Sequence, residues 1–554
     1  MAHFASRLAG SSFLTLNLLL AAPLASAQTP APAAQAPAAA PAARPSEYQQ
    51  SPAVRERFAD VPVAMDAPGL APGRTTFTTH DEMLEHVAKV KARAPSVLRG
   101  TLGQSQQGRE MPFLVFTAEG LQDLAAIRAL NRPIVWLIGQ QHGNEPAGGE
   151  AMLPLASALA DGELKGLLNR VTVVIVPRAN PDGAMAFTRT AANGFDPNRD
   201  HLLLTLPEIR AIHAKMIELP PDIVVDAHEY QVAGTWLAKF QGLQKTDAML
   251  LYATHPAVPK EVAGVAEASY IPAIEAAFQP VGLNWFWYHT ATTANPQDRG
   301  VSLGGNAPGI SRNNFGLNGA ISFLVETRGI GVGMQGYQRR VATHYLAAKA
   351  VIEKAASEPE RVRDTVRQAR EAIARAQEPL VVGYAVETVK MTIPLVDPQT
   401  AADKPTEVDF TDTRRVRVTE TRPRPAGYLV QPEATAALEA LRVRGATLCP
   451  AEARTVEAEA FVLQSKPGPV DRNNINPDQS VKVTLERRSI TPASGAVYVP
   501  MNQPAAAVIA ASLEPDAPGS HVGVGLVAVG ANNEAPIYRL PAGTQPPVSG
   551  GCGG

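Results

Sequence analysis

Short apolar runs alternate with amphipathic segments between residues 75 and 350, a pattern typical of an α/β fold with a largely parallel sheet. Continuous apolar runs bounded by Pro, Gly or Asp indicate strands that are buried on both faces. We predict such strands at residues 133–139, 171–177, 222–226 and 320–329. Two strands joined by a hairpin-type connection are predicted before them, at residues 97–102 and 111–117.

Helical periodicity separates and follows these strands. Thr78 and Thr79 are capping residues that open a predicted helix extending to about residue 94. Two Ala-rich, charged helices are predicted between residues 336 and 377, broken near Pro359, and the second leads away from the first domain. The remaining helices are predicted at residues 206–219 and 261–278.

The last third of the chain changes character and predicts a β-rich accessory domain. Its strands are predicted at residues 380–384, 386–393, 416–419 and 481–485, and its short helices at residues 433–442 and 504–513. No His or acidic cluster with ligand spacing occurs in its sequence. Two roles stay open, binding of a polymer or substrate and packing against the first domain, and packing is favoured.

The N-terminus has the composition of a secretory signal. Arg7 is followed by a short apolar segment at residues 13–20, and the small residues 25–27 fit cleavage before Gln28. The apolar segment is too short for a comfortable membrane span, which disfavours the alternative of an uncleaved anchor. We therefore predict export to the periplasm or the extracellular space, with no membrane span after signal removal.

These patterns predict six segments: a signal peptide at 1–27, a Pro/Ala-rich linker at 28–50, the first domain at 51–355, a connecting helix at 356–378, the accessory domain at 379–545 and a flexible tail at 546–554. The 554 residues carry a net charge of −2, which gives no indication of a nucleic-acid partner. An exported protein could pair the two cysteines, Cys449 and Cys552, but Cys552 lies in the Gly-rich tail. Neither they nor the composition indicate an oligomeric state.

Candidate chemistry begins at the turn after the first of the four apolar strands. His142 and Glu145 lie three positions apart, where a strand ends and a helix begins, and open α/β sheets bind ligands at that edge. An imidazole nitrogen and a carboxylate on one turn suit zinc. The spacing is common on its own, but His228 follows the third strand in the same way and Glu326 interrupts the fourth. A buried Glu must be paired, hydrated or functional.

Two polar segments add to this set. The second apolar strand ends in an Asn-Pro-Asp-Gly turn at residues 180–183, and the loop after it contains Arg189, Asn198 and Arg199. Guanidinium groups grip carboxylates with two parallel hydrogen bonds, although ordinary surface arginines are the alternative. A Gly- and Asn-rich irregular segment at residues 284–318 precedes the fourth strand, which is typical of a functional loop.

Taken together, the motifs carry a family resemblance. In chain order they are Gly108-Arg109, His142-x-x-Glu145, Asn180-Pro181-Asp182-Gly183, Asp196-x-Asn198-Arg199, His228 and Glu326. This order at strand ends resembles the zinc carboxypeptidase family of metallopeptidases, as a bacterial-type secreted member, over roughly residues 75–350. The resemblance implies a three-layer α/β/α sandwich around a mixed, mostly parallel sheet, with one catalytic zinc per chain.

The resemblance also implies a role for each catalytic and metal-binding residue. His142, Glu145 and His228 would bind zinc, which lowers the pKa of a bound water. Glu326 would be the general base that takes a proton from the zinc-activated water and passes it to the leaving amine.

Three further roles concern the substrate and its surroundings. Asn198 and Arg199 would hold the terminal carboxylate of a peptide substrate. Arg189 would stabilise the oxyanion, although its spacing from the Asn-Pro-Asp-Gly turn is shorter than in the pancreatic members of the family. Asp196 would orient His142 from behind.

The chain departs from the family on the loop before Glu326. Classical members have a Tyr there, whereas residues 311–316 read Ser-Arg-Asn-Asn-Phe-Gly and Tyr288 lies further back, as a poor match. Arg312 falls in the region that lines the pocket for the terminal side chain. It would meet an acidic side chain or the terminal carboxylate, unless it pairs with a protein carboxylate or points to solvent.

The predicted function is therefore a secreted zinc-dependent metallopeptidase that removes C-terminal residues from peptides. An amidase or deacylase of the same fold, acting on cell-wall peptides or acyl amino acids, is the alternative among enzymes. A catalytically inactive binding protein is a third class, and retention of Glu326 with all three metal ligands weighs against it.

Overall fold

The computed structural model describes residues 47–291, 293–465, 467 and 479–549, so the predicted signal peptide and most of the linker lie outside the described residues. Its strands are β1 (Leu98–Gln104), β2 (Glu110–Phe116), β3 (Ile134–Ile138), β4 (Thr172–Val176), β5 (Ile223–Gln231), β6 (Leu243–Gln244), β7 (Ala248–Tyr252), β8 (Trp285–Trp287), β9 (Thr290–Ala291), β10 (Gly300–Ser302), β11 (Ile321–Ile330), β12 (Leu380–Val396), β13 (Asp403–Arg422), β14 (Gly427–Val430), β15 (Cys449–Pro450), β16 (Val456–Leu463), β17 (Val483–Ile490), β18 (Val497–Pro500) and β19 (Glu534–Leu540). Its α-helices are α1 (Pro52–Arg57), α2 (His80–Arg93), α3 (Leu124–Ala129), α4 (Pro146–Ala160), α5 (Pro181–Ala186), α6 (Pro207–Glu218), α7 (Thr235–Phe240), α8 (Lys260–Val265), α9 (Ile271–Phe278), α10 (Ser311–Leu317), α11 (Tyr337–Ser357), α12 (Pro359–Arg375), α13 (Thr435–Val443) and α14 (Ala506–Leu513).

An eight-stranded sheet in the order β1-β2-β4-β3-β5-β11-β7-β8 forms the centre of the first part of the chain. The pairs β3–β4, β3–β5, β5–β11 and β7–β8 are parallel, whereas β1–β2, β2–β4 and β7–β11 are antiparallel. Helices α4 and α11 contribute to the core on one face, and α6 and α10 contribute to the core on the other. The predicted α/β fold class, with a mixed and mostly parallel sheet, is confirmed.

The continuous apolar runs are explained by burial of both sheet faces. In β3, Val135 and Leu137 belong to the core under α4 and α11, while Ile134, Trp136 and Ile138 belong to the core under α6. Successive residues of a strand point to opposite faces, so a strand covered on both sides needs an apolar residue at every position. The ends of β3, β5 and β11 then meet along one edge, where the polar motifs lie.

The C-terminal region contains the predicted antiparallel β-structure and continues into the first domain. Strands β12 and β13 form a long hairpin that joins β6, β10 and β9 in a five-stranded sheet. A separate six-stranded antiparallel sheet has the order β15-β18-β14-β19-β16-β17. All described residues lie in one compact unit, and the exact segment boundaries stay predictions.

Several elements differ from the prediction. Helix α12 does not lead away, because Val362, Val366 and Ala369 are buried in the same core as α4 and α11. Strand β5 continues past residue 226 to Gln231, so His228 lies inside the strand and not at its exit. The segment at residues 284–318 contains β8, β9, β10 and α10 and is therefore only partly irregular. None of the described helices has the length and apolarity that crossing a membrane requires.

Candidate metal centre and active site

His142, Glu145 and His228 converge at the edge where β3 and β5 approach each other, and all three are buried. Their ligand atoms lie within 4.8 Å of one another. His142 Nδ1 is 2.8 Å from Glu145 Oε1, while His228 Nδ1 is 2.8 Å from Glu145 Oε2 and 2.9 Å from His142 Nδ1. The two imidazoles therefore direct the same nitrogen towards one point.

The other ring nitrogen of each histidine faces a carboxylate. His142 Nε2 is 3.1 Å from Asp196 Oδ1, and His228 Nε2 is 2.8 Å from Asp226 Oδ2. A carboxylate at Nε2 holds the proton there and leaves the Nδ1 lone pair free for a metal. Two unprotonated nitrogens and one carboxylate in contact fit a cation, and this donor set matches catalytic zinc with three protein ligands.

The charges of these groups depend on one another. Burial raises the pKa of Glu145, but His142 and His228 outweigh burial and hold that pKa well below its usual range. Burial lowers the pKa of His228, but Asp226 outweighs burial and the pKa is raised well above its usual range. A cation bound by the three residues would require both imidazoles unprotonated at Nδ1 and Glu145 ionised, because metal binding requires deprotonated ligands.

Two glycines allow the metal-binding turn to approach its neighbour closely. A Cβ on Gly143 would lie 1.9 Å from the backbone carbon of Gly183, so a side chain there would displace the backbone. Asp182 anchors this second turn, because Arg109 donates to it at 2.6 Å and Ser105 at 2.7 Å. The Gly-Arg and Asn-Pro-Asp-Gly motifs thus build the support of the metal site.

Glu326 lies inside β11 and pairs in register with His228 of β5. It is buried, and no described side chain forms a hydrogen bond or ion pair with it. Burial, followed by the negative charge of Glu145, raises the pKa of Glu326 to about 8. A cation at the metal site counters the charge of Glu145 and favours the ionised form of Glu326.

Arg189 lies over the metal-binding residues. Its Nε donates to Asp196 Oδ2 at 2.9 Å, and one terminal nitrogen lies 3.1 Å from His142 Nδ1 and 3.3 Å from Glu145 Oε1. Asp196 therefore contacts both His142 and Arg189. The 42% exposure of the Arg189 side chain leaves it accessible from the solvent side of the site.

Asn198 links the loop after β4 to the metal site and to α10. Its side-chain oxygen accepts a hydrogen bond from the Ser311 backbone N–H at 2.8 Å, and its side-chain nitrogen lies 3.3 Å from His228 Nε2. Ser311 Oγ donates to Asp226. These contacts place the loop and the start of α10 next to the metal ligands.

Three basic side chains and Glu326 act electrostatically on one tyrosine, Tyr288. The charges that act on the Tyr288 phenol are those of Glu326, Arg189, Arg312 and Arg199, and burial is the main reason why its pKa is raised. Tyr288 is a poor match to the family's loop tyrosine in sequence, yet in the structure it lies within reach of the charge of Glu326, next to β8. The only indication of Tyr288 in the sequence is its place near the start of the Gly- and Asn-rich segment at residues 284–318.

Arg312 and Arg199 contribute charge to this site without ion pairs to described residues. Arg312 is only 2% exposed, donates to the Gly305 carbonyl at 2.6 Å, and keeps a buried Nε that has no partner among the described atoms. Burial lowers the pKa of Arg312 to about 10. Arg199 donates to the Asn198 carbonyl at 2.8 Å. The two alternatives to a binding role, a carboxylate partner and exposure to solvent, are therefore absent for Arg312 among these residues.

Asp226 is a site residue that the sequence interpretation missed. It precedes His228 by two positions in β5, and residues two apart in a strand lie on the same face. Gln141 donates to both oxygens of Asp226 at 3.1 Å, which completes its surroundings with Ser311 and His228. The signal was present as Asp-Ala-His, but this spacing becomes informative only when the strand continues through all three residues.

Comparison with known proteins agrees with this geometry. Residues 83–214 match the family model described as zinc carboxypeptidase. "Carboxypeptidase 2" of Trichophyton rubrum is 28% identical over 84% of this chain and 87% of the relative, and its counterpart from Trichophyton equinum is 27% identical over 86% and 90%. A solved metallo-carboxypeptidase from Burkholderia cenocepacia has a TM-score of 0.38 and 19% identity over 50% of this chain and 69% of that chain. With its His142–Glu145–His228 zinc site, the chain is similar to the zinc carboxypeptidases and is a zinc metallopeptidase that hydrolyses peptide bonds.

Proposed function

We propose that the enzyme recognises the free C-terminal carboxylate of an exported or extracellular peptide and releases single C-terminal residues. The observation that carries this proposal is the presence of Arg199 and Arg312 beside the site without a carboxylate partner among the described residues. A buried or half-buried guanidinium without an anion is costly. A substrate carboxylate supplies the missing anion.

Glu326 is the general base in this proposal. His142, Glu145 and His228 would hold zinc, which would act as a Lewis acid on the attacking water and the scissile carbonyl. Glu326 takes the proton from the attacking water and passes it to the leaving amine. Its register next to His228 and the absence of a competing partner among the described residues support this role.

Arg189 stabilises the negative charge that develops on the scissile carbonyl oxygen. Its contacts with His142 and Glu145 place a guanidinium directly at the metal-binding residues, and its partial exposure lets a substrate reach it. Asp196 supports this role because it fixes both Arg189 and His142. The same Asp196 contact is the reason to propose that it orients His142 for the metal.

Substrate binding is assigned to Asn198, Arg199 and Arg312. Asn198 and Arg199 lie on the loop that Ser311 joins to α10, so the loop and Arg312 form one rigid wall. In this wall, Arg199 and Asn198 hold the terminal carboxylate. Arg312 is more deeply buried than Arg199. It binds either an acidic side chain of the terminal residue or, together with Arg199, the terminal carboxylate.

Export completes the proposal. The signal-like residues 1–27 support it. Cys449 is disulfide-bonded, and the sequence has one other cysteine, Cys552, which lies outside the described residues. Disulfides persist mainly in oxidising compartments, which favours the periplasm or the extracellular space. Placement among bacterial-type members stays a prediction.

A mass-spectrometric survey of a defined peptide mixture tests the proposal. Each peptide is present as a free acid and as its C-terminal amide, and the products are followed with time. We expect stepwise loss of single C-terminal residues from the free acids and little cleavage of the amides. Internal cleavage, or equal cleavage of acids and amides, would overturn carboxylate recognition and favour the amidase or deacylase alternative.

A further inference from the structure

A buried arginine of the C-terminal region reaches into the wall of the active site. Arg444 follows α13 directly and is only 6% exposed. One terminal nitrogen donates to the carbonyls of His201 and Leu202, the latter at 3.1 Å, and the other donates to Asn314 Oδ1 at 3.0 Å. One residue outside the first domain therefore bonds two of its segments at once.

The charge of Arg444 is not neutralised by a contacting carboxylate. Asp200 acts on it electrostatically, but no ion pair joins Arg444 to a described carboxylate, and its Nε has no partner among the described atoms. Burying a guanidinium against carbonyls costs free energy that an apolar side chain would avoid. The hydrogen bonds to His201, Leu202 and Asn314 offset part of that cost.

The two segments that Arg444 joins carry the proposed substrate-binding residues. His201 and Leu202 follow Asn198 and Arg199 with Asp200 between them, and Asn314 lies on α10 with Ser311 and Arg312. The wall therefore has two halves, the loop that carries Asn198 and Arg199, and α10. Inside the site, the two halves meet at the bond from the Ser311 backbone to Asn198. Arg444 is a further connection between the two halves, beside the bond from the His201 N–H to the Gly309 carbonyl at 3.2 Å and the contact of the His201 ring with Phe315.

A chain of hydrogen bonds continues from this point to the metal. His201 Nε2 lies 2.8 Å from Gln141 Oε1, and Gln141 donates to Asp226, which contacts His228. Arg444 holds the His201 carbonyl. A shift of the His201 backbone would therefore also move its side chain and disturb the hydrogen bonds through Gln141 to Asp226. Buried side chains joined by hydrogen bonds thus connect the residue that Arg444 holds, His201, to the metal ligand His228.

Apolar packing fixes the position of Arg444 itself. Ala440 of α13 and Val524 belong to the same core cluster as Leu203, Leu204 and Phe315. The residues that flank both bonded segments are therefore packed against the C-terminal region. Such contacts make the C-terminal region part of the active-site wall and not a detachable accessory module.

We infer that Arg444 is a positioning residue, through which the C-terminal region sets the separation of the Asn198–Arg199 loop from α10 and so tunes recognition of the substrate carboxylate. The inference rests on the proposed function, because it assumes that this wall holds the carboxylate. Arg444 touches no reacting atom. It acts through the loop and α10.

The test uses the zinc-loaded full chain. Calorimetry measures its affinity for an N-acyl amino acid and for the corresponding amide, and a separate assay measures KM and kcat on a peptide. Arg444→Met preserves the apolar stem and removes the donors, and we expect the acid-to-amide affinity ratio to fall about tenfold. KM rises by a similar factor, whereas kcat changes less and one zinc per chain is retained. Arg444→Lys restores part of the ratio. Arg442→Ala, an exposed arginine on the same helix, is the matched control and leaves the ratio unchanged.

A second variant covers the case in which Arg444→Met does not fold. Asn314→Ala removes one of the three acceptors of Arg444, together with the bond that Asn314 donates to the Pro308 carbonyl, and is expected to lower the same ratio by a smaller factor. An unchanged ratio in folded, zinc-loaded variants would overturn the inference, even if the melting temperature falls. Absence of any acid preference in the unmodified enzyme would instead overturn the proposed function, so the two failures are distinguishable.

Discussion

Glu326 pairs with His228 in the parallel register between β11 and β5. Neighbouring strands lie about 4.8 Å apart, and residues in register point to the same face of the sheet. The proposed base and a zinc ligand therefore project side by side from two adjacent, buried strands of the sheet. This relationship is fixed by the backbone ladder and needs no loop to maintain it.

The first prediction follows from that register. Glu326→Gln keeps the size of the side chain and removes its ability to accept a proton. We expect zinc content and melting temperature close to those of the unmodified enzyme, with turnover lower by about 10²- to 10⁴-fold. Full activity, or a variant that does not fold, would count against a catalytic role.

The second prediction concerns the metal. His228→Ala removes one of the three ligands, and we expect zinc measured by metal analysis to fall far below one per chain. His86→Ala is the control, because His86 is also buried but bonds the Leu153 carbonyl in another part of the core. Unmodified zinc occupancy in His228→Ala would show that the metal assignment is wrong.

The third prediction separates Asp226 from a purely structural role. Asp226→Asn keeps the shape but weakens the hold on His228 Nε2, so we expect zinc affinity to fall about 10- to 100-fold. A competition titration with a chelator measures this affinity directly. Asp196→Asn should act in the same way through His142. If both variants bind zinc as tightly as the unmodified enzyme, the carboxylates do not orient the ligands.

The sequence was sufficient to predict the central strands and the metal ligands, for a physical reason. Strands β3, β4, β5 and β11 are buried on both faces, so each needs an uninterrupted apolar run that stands out from its surroundings. A polar residue in or after such a run is then conspicuous. His142 and Glu326 were recognisable in this way.

What could not be predicted depends on contacts between distant parts of the chain. Strand β7 has a short apolar run like the others, but its antiparallel place beside β11 is set by pairing, not by local pattern. Tyr288 enters the site because residues 285–302 form strands across a segment that reads as irregular. Arg444 lies over 240 residues from the carbonyls it holds, and no local signal marks it.

The last prediction concerns Arg312 and the choice of substrate. One terminal nitrogen of Arg312 donates to the Gly305 carbonyl, and its buried Nε has no partner among the described atoms, so the guanidinium lacks a neutralising anion within the described protein. If Arg312 reads the terminal side chain, Arg312→Ala should lower kcat/KM for peptides ending in Glu or Asp by about 10- to 100-fold, as expected for loss of a charge-assisted hydrogen bond, and spare peptides with apolar ends.

The opposite pattern identifies the other role. If Arg312 helps to bind the terminal carboxylate, Arg312→Ala should lower kcat/KM by a similar factor for all free-acid peptides, because all of them carry that carboxylate. Arg299→Ala is the control, since Arg299 lies in the same stretch before β11 but is exposed. Kinetics of Arg312→Ala that match those of the control on both substrate types would remove Arg312 from substrate binding. The buried charge would then be balanced within the protein alone, through carbonyl groups such as that of Gly305.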